Sequence, residues 1–102
     1  MKDRTLEAND IVRHFKRETV DPHTTKYLYK IIGIATHSET KEKVMVYQAL
    51  YDDFGLYVRP LDMFMSKVDK EKYPDIHQEY RFEKTKLSKE EQQSVFEQLS
   101  KL

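Results

Sequence analysis

His37-Ser38-Glu39 sets an imidazole, a hydroxyl and a carboxylate side by side, the three groups of a nucleophile triad. Triad members converge from separate segments, however, and three consecutive residues aim their side chains in different directions. Residues 37–42 read instead as a hairpin loop in which Ser38 and Thr40 bond nearby backbone. A rigid scaffold commonly presents such loops to ligands. His37, Ser38 and Glu39 are therefore ligand-contact candidates, and no catalytic residue is assigned. A small-metabolite hydrolase would draw its acid and base from His37, Glu39 or Asp62, but no nucleophile with a positioned base accompanies them. The four histidines, His14, His23, His37 and His77, show no recurring ligand spacing, so no metal site is expected. Only two glycines occur, none forming a phosphate-cradling loop, and no cofactor is expected.

The tyrosines offer a different chemistry. Strict alternation puts Tyr47, Ala49 and Tyr51 on one strand face and Val44, Val46, Gln48 and Leu50 on the other. In the following strand Tyr57 and Arg59 share a face, opposite Leu56 and Val58. Aligned in register, Tyr47, Tyr51, Tyr57 and Arg59 would make an aromatic-plus-arginine surface. Small barrels that bind single strands use such surfaces, at about 1–3 kcal/mol per stacked base. Arg13 or Lys16 would add phosphate contacts. Against this stands packing: tyrosine favours strands, and its ring can fill a small core while the hydroxyl finds a partner at the rim. The weight of the pattern falls on core, and a single bulge would exchange the faces beyond it.

The elements that must position these groups are short. Residues 11–15 suit a strand, and residues 16–26, polar and containing Pro22, read as loop. Residues 27–36 (YLYKIIGIAT) are aromatic and β-branched, with Gly33 marking a bulge. Strands follow over 44–51 and 55–59, joined by Asp52-Asp53-Phe54-Gly55, where the glycine offers a positive-φ position for a hairpin. Pro60 can open one helical turn whose Leu61, Met63 and Phe64 plug an end of the roll. A strand over 79–83, with Tyr80 and Phe82 on one face, would close the sheet. Ser88 and Glu91 fit a capping box. Beyond it Val95, Phe96, Leu99 and Leu102 make one apolar stripe that must pack on something.

Composition narrows the classes. At 102 residues the chain is one domain: a lead-in over 1–10, a β-roll over 11–84 and a helix packed on the roll over 85–102. Charges balance, with 18 basic and 18 acidic side chains, so the basic signature of a nucleic-acid-binding domain is missing. A local basic stripe is still compatible with that balance. No cysteine occurs, which excludes disulfides and fits a reducing, cytoplasmic setting. No segment resembles a signal peptide or reaches the roughly 20 apolar residues of a membrane span.

The run VYQALY, the GLYVRPLDMF after it and the HSET before it resemble a small bacterial family, domain of unknown function 1653. Arg13-His14-Phe15-Lys16 matches that family's Arg-His-aromatic-Lys lead strand, which places Arg13, His14 and Lys16 among the ligand-binding candidates. The loop at 16–26 departs from the family's sharp glycine turn. The resemblance implies a mainly β fold, a small SH3-like roll of about five strands with a C-terminal α-helix here, and no activity. It also implies a flat ring at Tyr57, where the family often has tryptophan. Two functions fit: a non-catalytic module binding nucleic acid, nucleotide or peptide on the Tyr/Arg face, and a protein-interaction domain using the helix or a sheet edge. Single-stranded nucleic acid, a protein partner and a second copy are the candidate partners.

Overall fold

The computed structural model describes residues 4–102. Five antiparallel strands form one sheet in the order β4-β3-β2-β1-β5: β1 Ile11–His14, β2 Leu28–Thr36, β3 Lys43–Ala49, β4 Leu56–Pro60 and β5 Phe82–Thr85. The chain runs as a meander through β4, makes one helical turn, α1 Leu61–Phe64, and returns so that β5 lies against β1. Helix α2, Lys89–Leu99, ends the fold.

Alternation decides which residues enter the core. Val12, Tyr29, Ile31, Met45, Tyr47 and Ala49 point to one side of the sheet and are buried with Phe64 and Phe82. The rings of Phe64 and Phe82 stack at 4.0 Å, joining α1 to β5 and rolling the two ends of the sheet together. The expected bulge is present: pairing with β3 slips between Ile31 and Gly33. Leu28, Leu50 and Phe54 make a second cluster, against which Ile11, Leu87 and Val95 pack.

Several elements differ from expectation. The first strand ends at His14, so Phe15, expected in it, joins residues 16–19, expected as loop, in a 3-10 turn, Phe15–Thr19, for which His14 is the cap. Gly55 does not take the left-handed conformation of its hairpin; Asp52 and Phe54 do, at φ 54° and 56°. The Gln48 side-chain amide donates to the Phe54 carbonyl and holds that turn from the side. Of the three residues expected to plug the roll, Phe64 is buried and Leu61 partly so, whereas Met63 is exposed. The last strand begins at Phe82, later than expected, because residues 79–81 pair instead with 66–68 through the Val68–Glu79 and Arg81–Ser66 backbone bonds.

Helix α2 begins with the capping box: the Glu91 N–H donates to Ser88 Oγ at 3.0 Å, and the Ser88 N–H donates to Glu91 Oε1 at 2.8 Å. The other carboxylate oxygen of Glu91 accepts from Arg17 at 2.8 Å. Arg17 is itself buried and donates to the carbonyls of Thr24, Lys26 and Pro22, so one guanidinium ties the 16–26 loop to the helix. Val95 meets the second cluster, while Phe96, Leu99 and Leu102 stay exposed.

Candidate functional site

The concave side of the sheet carries a continuous aromatic lining. β3 pairs with β4 so that Tyr47 faces Tyr57 and Met45 faces Arg59, which brings Tyr47, Tyr57 and Arg59 onto one face. Burial then separates them. Tyr47 is 5% exposed and belongs to the core; Tyr57, on the edge strand, is 47% exposed. Their rings lie 5.9 Å apart. From Tyr47 the lining continues through Tyr29 and Tyr51 to Tyr27, with ring-to-ring steps of 5.3, 5.7 and 6.2 Å. The tyrosines are thus neither all core nor all surface: a buried floor of Tyr47 and Tyr29 carries a rim of Tyr57, Tyr51 and Tyr27.

The floor is held by its own polar atoms. The Tyr29 and Tyr51 hydroxyls share a hydrogen bond of 2.7 Å. Burial pushes the Tyr29 phenol well above its ordinary value, and the Tyr51 contact adds to the shift. Burial also raises Tyr51. Both therefore stay protonated at neutral pH. Arg59 Nε donates to the Tyr47 hydroxyl at 3.3 Å, and its guanidinium carbon sits 5.7 Å from the Phe82 ring centre. Among the described residues no carboxylate lies within 4.0 Å of Arg59.

His14 stands behind this wall, packed against Phe15, Tyr27 and Phe82 at 4.3, 5.7 and 5.0 Å. Its Nδ1 accepts from the Lys16 N–H, which leaves the proton of the neutral ring on Nε2. Burial lowers its pKa from 6.5 to about 4, and the charges of Arg59, Arg81 and Lys16 push the same way. Three cations therefore act on a neutral imidazole.

Of the sequence candidates, the fold brings together His14, Tyr47, Tyr57 and Arg59. Arg13 alternates to the opposite face of β1 and bonds Gln78. Lys16 reaches toward Tyr73, 5.9 Å from its ring centre. His37, Ser38 and Glu39 stand at the tip of the β2–β3 hairpin. There His37 Nδ1 accepts from the N–H groups of Glu39 and Thr40, and the Ser38 carbonyl takes the Lys41 ammonium. The loop is internally bonded and makes no hydrogen bond to the Tyr/Arg group. Tyr27, Tyr29 and Phe82 join the site without having been singled out for it. The ring-bearing opening of 27–36 was the one signal for the first two. Among the described residues no group of three or more His, Asp or Glu side chains is placed to hold a metal, and no helix is long and apolar enough to cross a membrane.

A small, mainly β protein whose sheet carries an aromatic lining with Arg59 at one end is the class this geometry defines. The chain belongs to the family described as Protein of unknown function (DUF1653), whose model matches residues 10–84. No curated protein and no solved structure matches it.

Proposed function

We propose that the protein is a non-catalytic binding module that takes single-stranded nucleic acid on its Tyr/Arg face. The carrying observation is the pairing of a half-exposed Tyr57 ring with Arg59, a guanidinium already oriented by the Tyr47 hydroxyl and free of carboxylate partners among the described residues. A base stacks on the exposed ring, and the guanidinium meets the adjoining phosphate. Every base has a flat face, so this arrangement is tolerant of sequence. The neutral total charge makes the attraction local, set by Arg59 beside the exposed ring.

Fluorescence anisotropy with a labelled single-stranded oligonucleotide tests the reading. Tyr57→Ala should lose about 1–3 kcal/mol of binding, the range for one stacked base. Arg59→Ala should weaken binding and flatten its salt dependence. Unchanged affinity in both variants, with folding intact, sinks the proposal. A protein-docking function is the second reading, favoured by Leu56 and Val58, each 65% exposed on edge strand β4, and by the uncovered Phe96 and Leu102. Sedimentation that shows a monomer at high concentration would count against its self-association form.

A further inference from the structure

The aromatic lining does not stop at Tyr57 and Arg59. At its other end Tyr27 holds a left-handed backbone, φ 69°, which is uncommon for any side chain and an outlier for a bulky one. Such strain persists where the surroundings impose it, and it clusters at ligand contacts. Here it sets the Tyr27 ring between His14 and Tyr51, half-buried at the rim. Lys26 is exposed, with its ammonium 5.4 Å from the Tyr27 ring centre. No carboxylate among the described residues lies within 4.0 Å of that ammonium. Tyr27 and Lys26 thus repeat the combination of Tyr57 and Arg59: a rim ring beside an unpaired cation.

Next to this second pair lies a cavity of about 390 Å³ between the roll and α2. Tyr51 forms one wall, and Thr24, Thr25, Lys26, Asp52, Ser94 and Gln98 supply polar groups. Gln98 commits its amide N–H₂ to Thr25 and Ser94, while its carbonyl oxygen has no partner among the described residues. The Asp52 carboxylate and the Gln98 carbonyl are acceptors for the N–H edge of a base. Lys26, at the mouth, is the donor for a phosphate.

Building on the function proposed above, we infer that Tyr27, Lys26 and the cavity beneath α2 form a second nucleotide subsite, so that the ligand is a strand of several nucleotides rather than a mononucleotide. Tyr57 and Tyr27 lie at the two ends of the lining, beside Tyr47 and Tyr51 respectively, and each has its own cation, so the two places take different nucleotides. The strand lies along the rim: one base rests on Tyr57, another on Tyr27 with its edge in the cavity. Arg59 and Lys26 hold the phosphates at the two ends.

A length series separates this inference from the reading beneath it. Uridine and thymidine oligonucleotides of one, two, three and six nucleotides are titrated against wild type, Lys26→Ala, Tyr27→Gly and Tyr57→Ala. Tyr27→Gly removes the ring while placing at φ 69° the residue that accepts that conformation most readily, so its backbone is relieved rather than strained. Lys26 is exposed, so Lys26→Ala guards against any loss of packing in the glycine variant. Wild-type affinity should rise about tenfold or more between two and six nucleotides, as stacking of a further base allows. Lys26→Ala and Tyr27→Gly should abolish most of that rise, and Lys26→Ala should lower the slope of log affinity against log salt by about 0.7. Tyr57→Ala should weaken every length. Equal wild-type affinity at all lengths, or a rise that survives both Lys26→Ala and Tyr27→Gly, overturns the second subsite and leaves the Tyr57/Arg59 face standing. Absence of wild-type binding at every length removes the nucleic-acid reading and this inference with it.

Discussion

Lowering the pH should destabilise this fold before its carboxylates begin to titrate, and His14 is the cause. The ring is buried among Phe15, Tyr27 and Phe82, with its Nδ1 committed to the Lys16 N–H. Its pKa is lowered from 6.5 to about 4 by burial, reinforced by Arg59, Arg81 and Lys16. The unfolded chain therefore takes up a proton that the folded chain refuses. Stability is fully present above 6.5, falls as the pH drops, and has lost this contribution completely below about 4. The shift is worth about 3 kcal/mol, of which roughly 2 kcal/mol disappears between pH 7 and pH 5. That loss is a substantial part of the stability of a small domain. Urea unfolding at the two pH values measures it, with His14→Asn as the control. The asparagine carbonyl can still accept from the Lys16 N–H but cannot titrate. The variant should be less stable at both pH values because its smaller side chain leaves space, yet its drop from pH 7 to pH 5 should be smaller by about 2 kcal/mol. Equal drops in wild type and variant would refute the assignment.

Further outcomes follow from the same contacts. Between pH 5 and pH 3 a second loss should appear. The Glu7 backbone N–H, opposed by burial and aided by Lys84, holds Asp10 below its ordinary 3.8. Burial alone would raise Glu18, but the N–H groups of His77 and Gln78, with the His77 and Arg13 charges, hold it below its ordinary 4.5. Stability from both carboxylates is present above those values and lost below them, and Glu18→Gln should shallow the acid limb of a thermal-melt series. Arg17→Ala should cost about 3–5 kcal/mol in urea unfolding, because it leaves Glu91 half-served and three carbonyls without their donor. Ser88→Ala should cost about 1 kcal/mol and speed amide exchange in the first turn of α2. Phe64→Ala should cost about 3–5 kcal/mol, since it empties the stack on Phe82 at the point where the roll closes.

Local signals made much of this fold readable. Alternating aromatic and β-branched residues announced β2, β3 and β4, Gly33 marked the bulge, and Ser88 with Glu91 marked the start of α2. These features depend on neighbours a few residues away. The shared face of Tyr47, Tyr57 and Arg59 was legible for the same reason, being a matter of alternation and register. Which of them lies in the core was not. That depends on how the sheet rolls around Phe64 and Phe82, and Tyr57 stays half-exposed because β4 is an edge strand. Arg17 falls in a stretch that reads only as polar loop; its ion pair is with Glu91, 74 residues away. The left-handed Tyr27 was hidden because residue type argues against it; in the fold its ring lies beside His14 and Tyr51. Gly55 misled for the converse reason: glycine permits positive φ without requiring it, and Asp52 and Phe54 took the role.

An amide chemical-shift titration of the labelled protein with short mixed-sequence single-stranded RNA and DNA, first at low and then at moderate salt, tests the central claim most directly. The account expects saturable shifts centred on Tyr57, Arg59, Tyr51 and Tyr27 that weaken as salt is added, with the His37–Glu39 loop tip and the outer residues Leu56 and Val58 little affected. Shifts confined to the outer face of β4 and to α2, or none at low salt, would contradict it and return the tyrosines to a purely structural role.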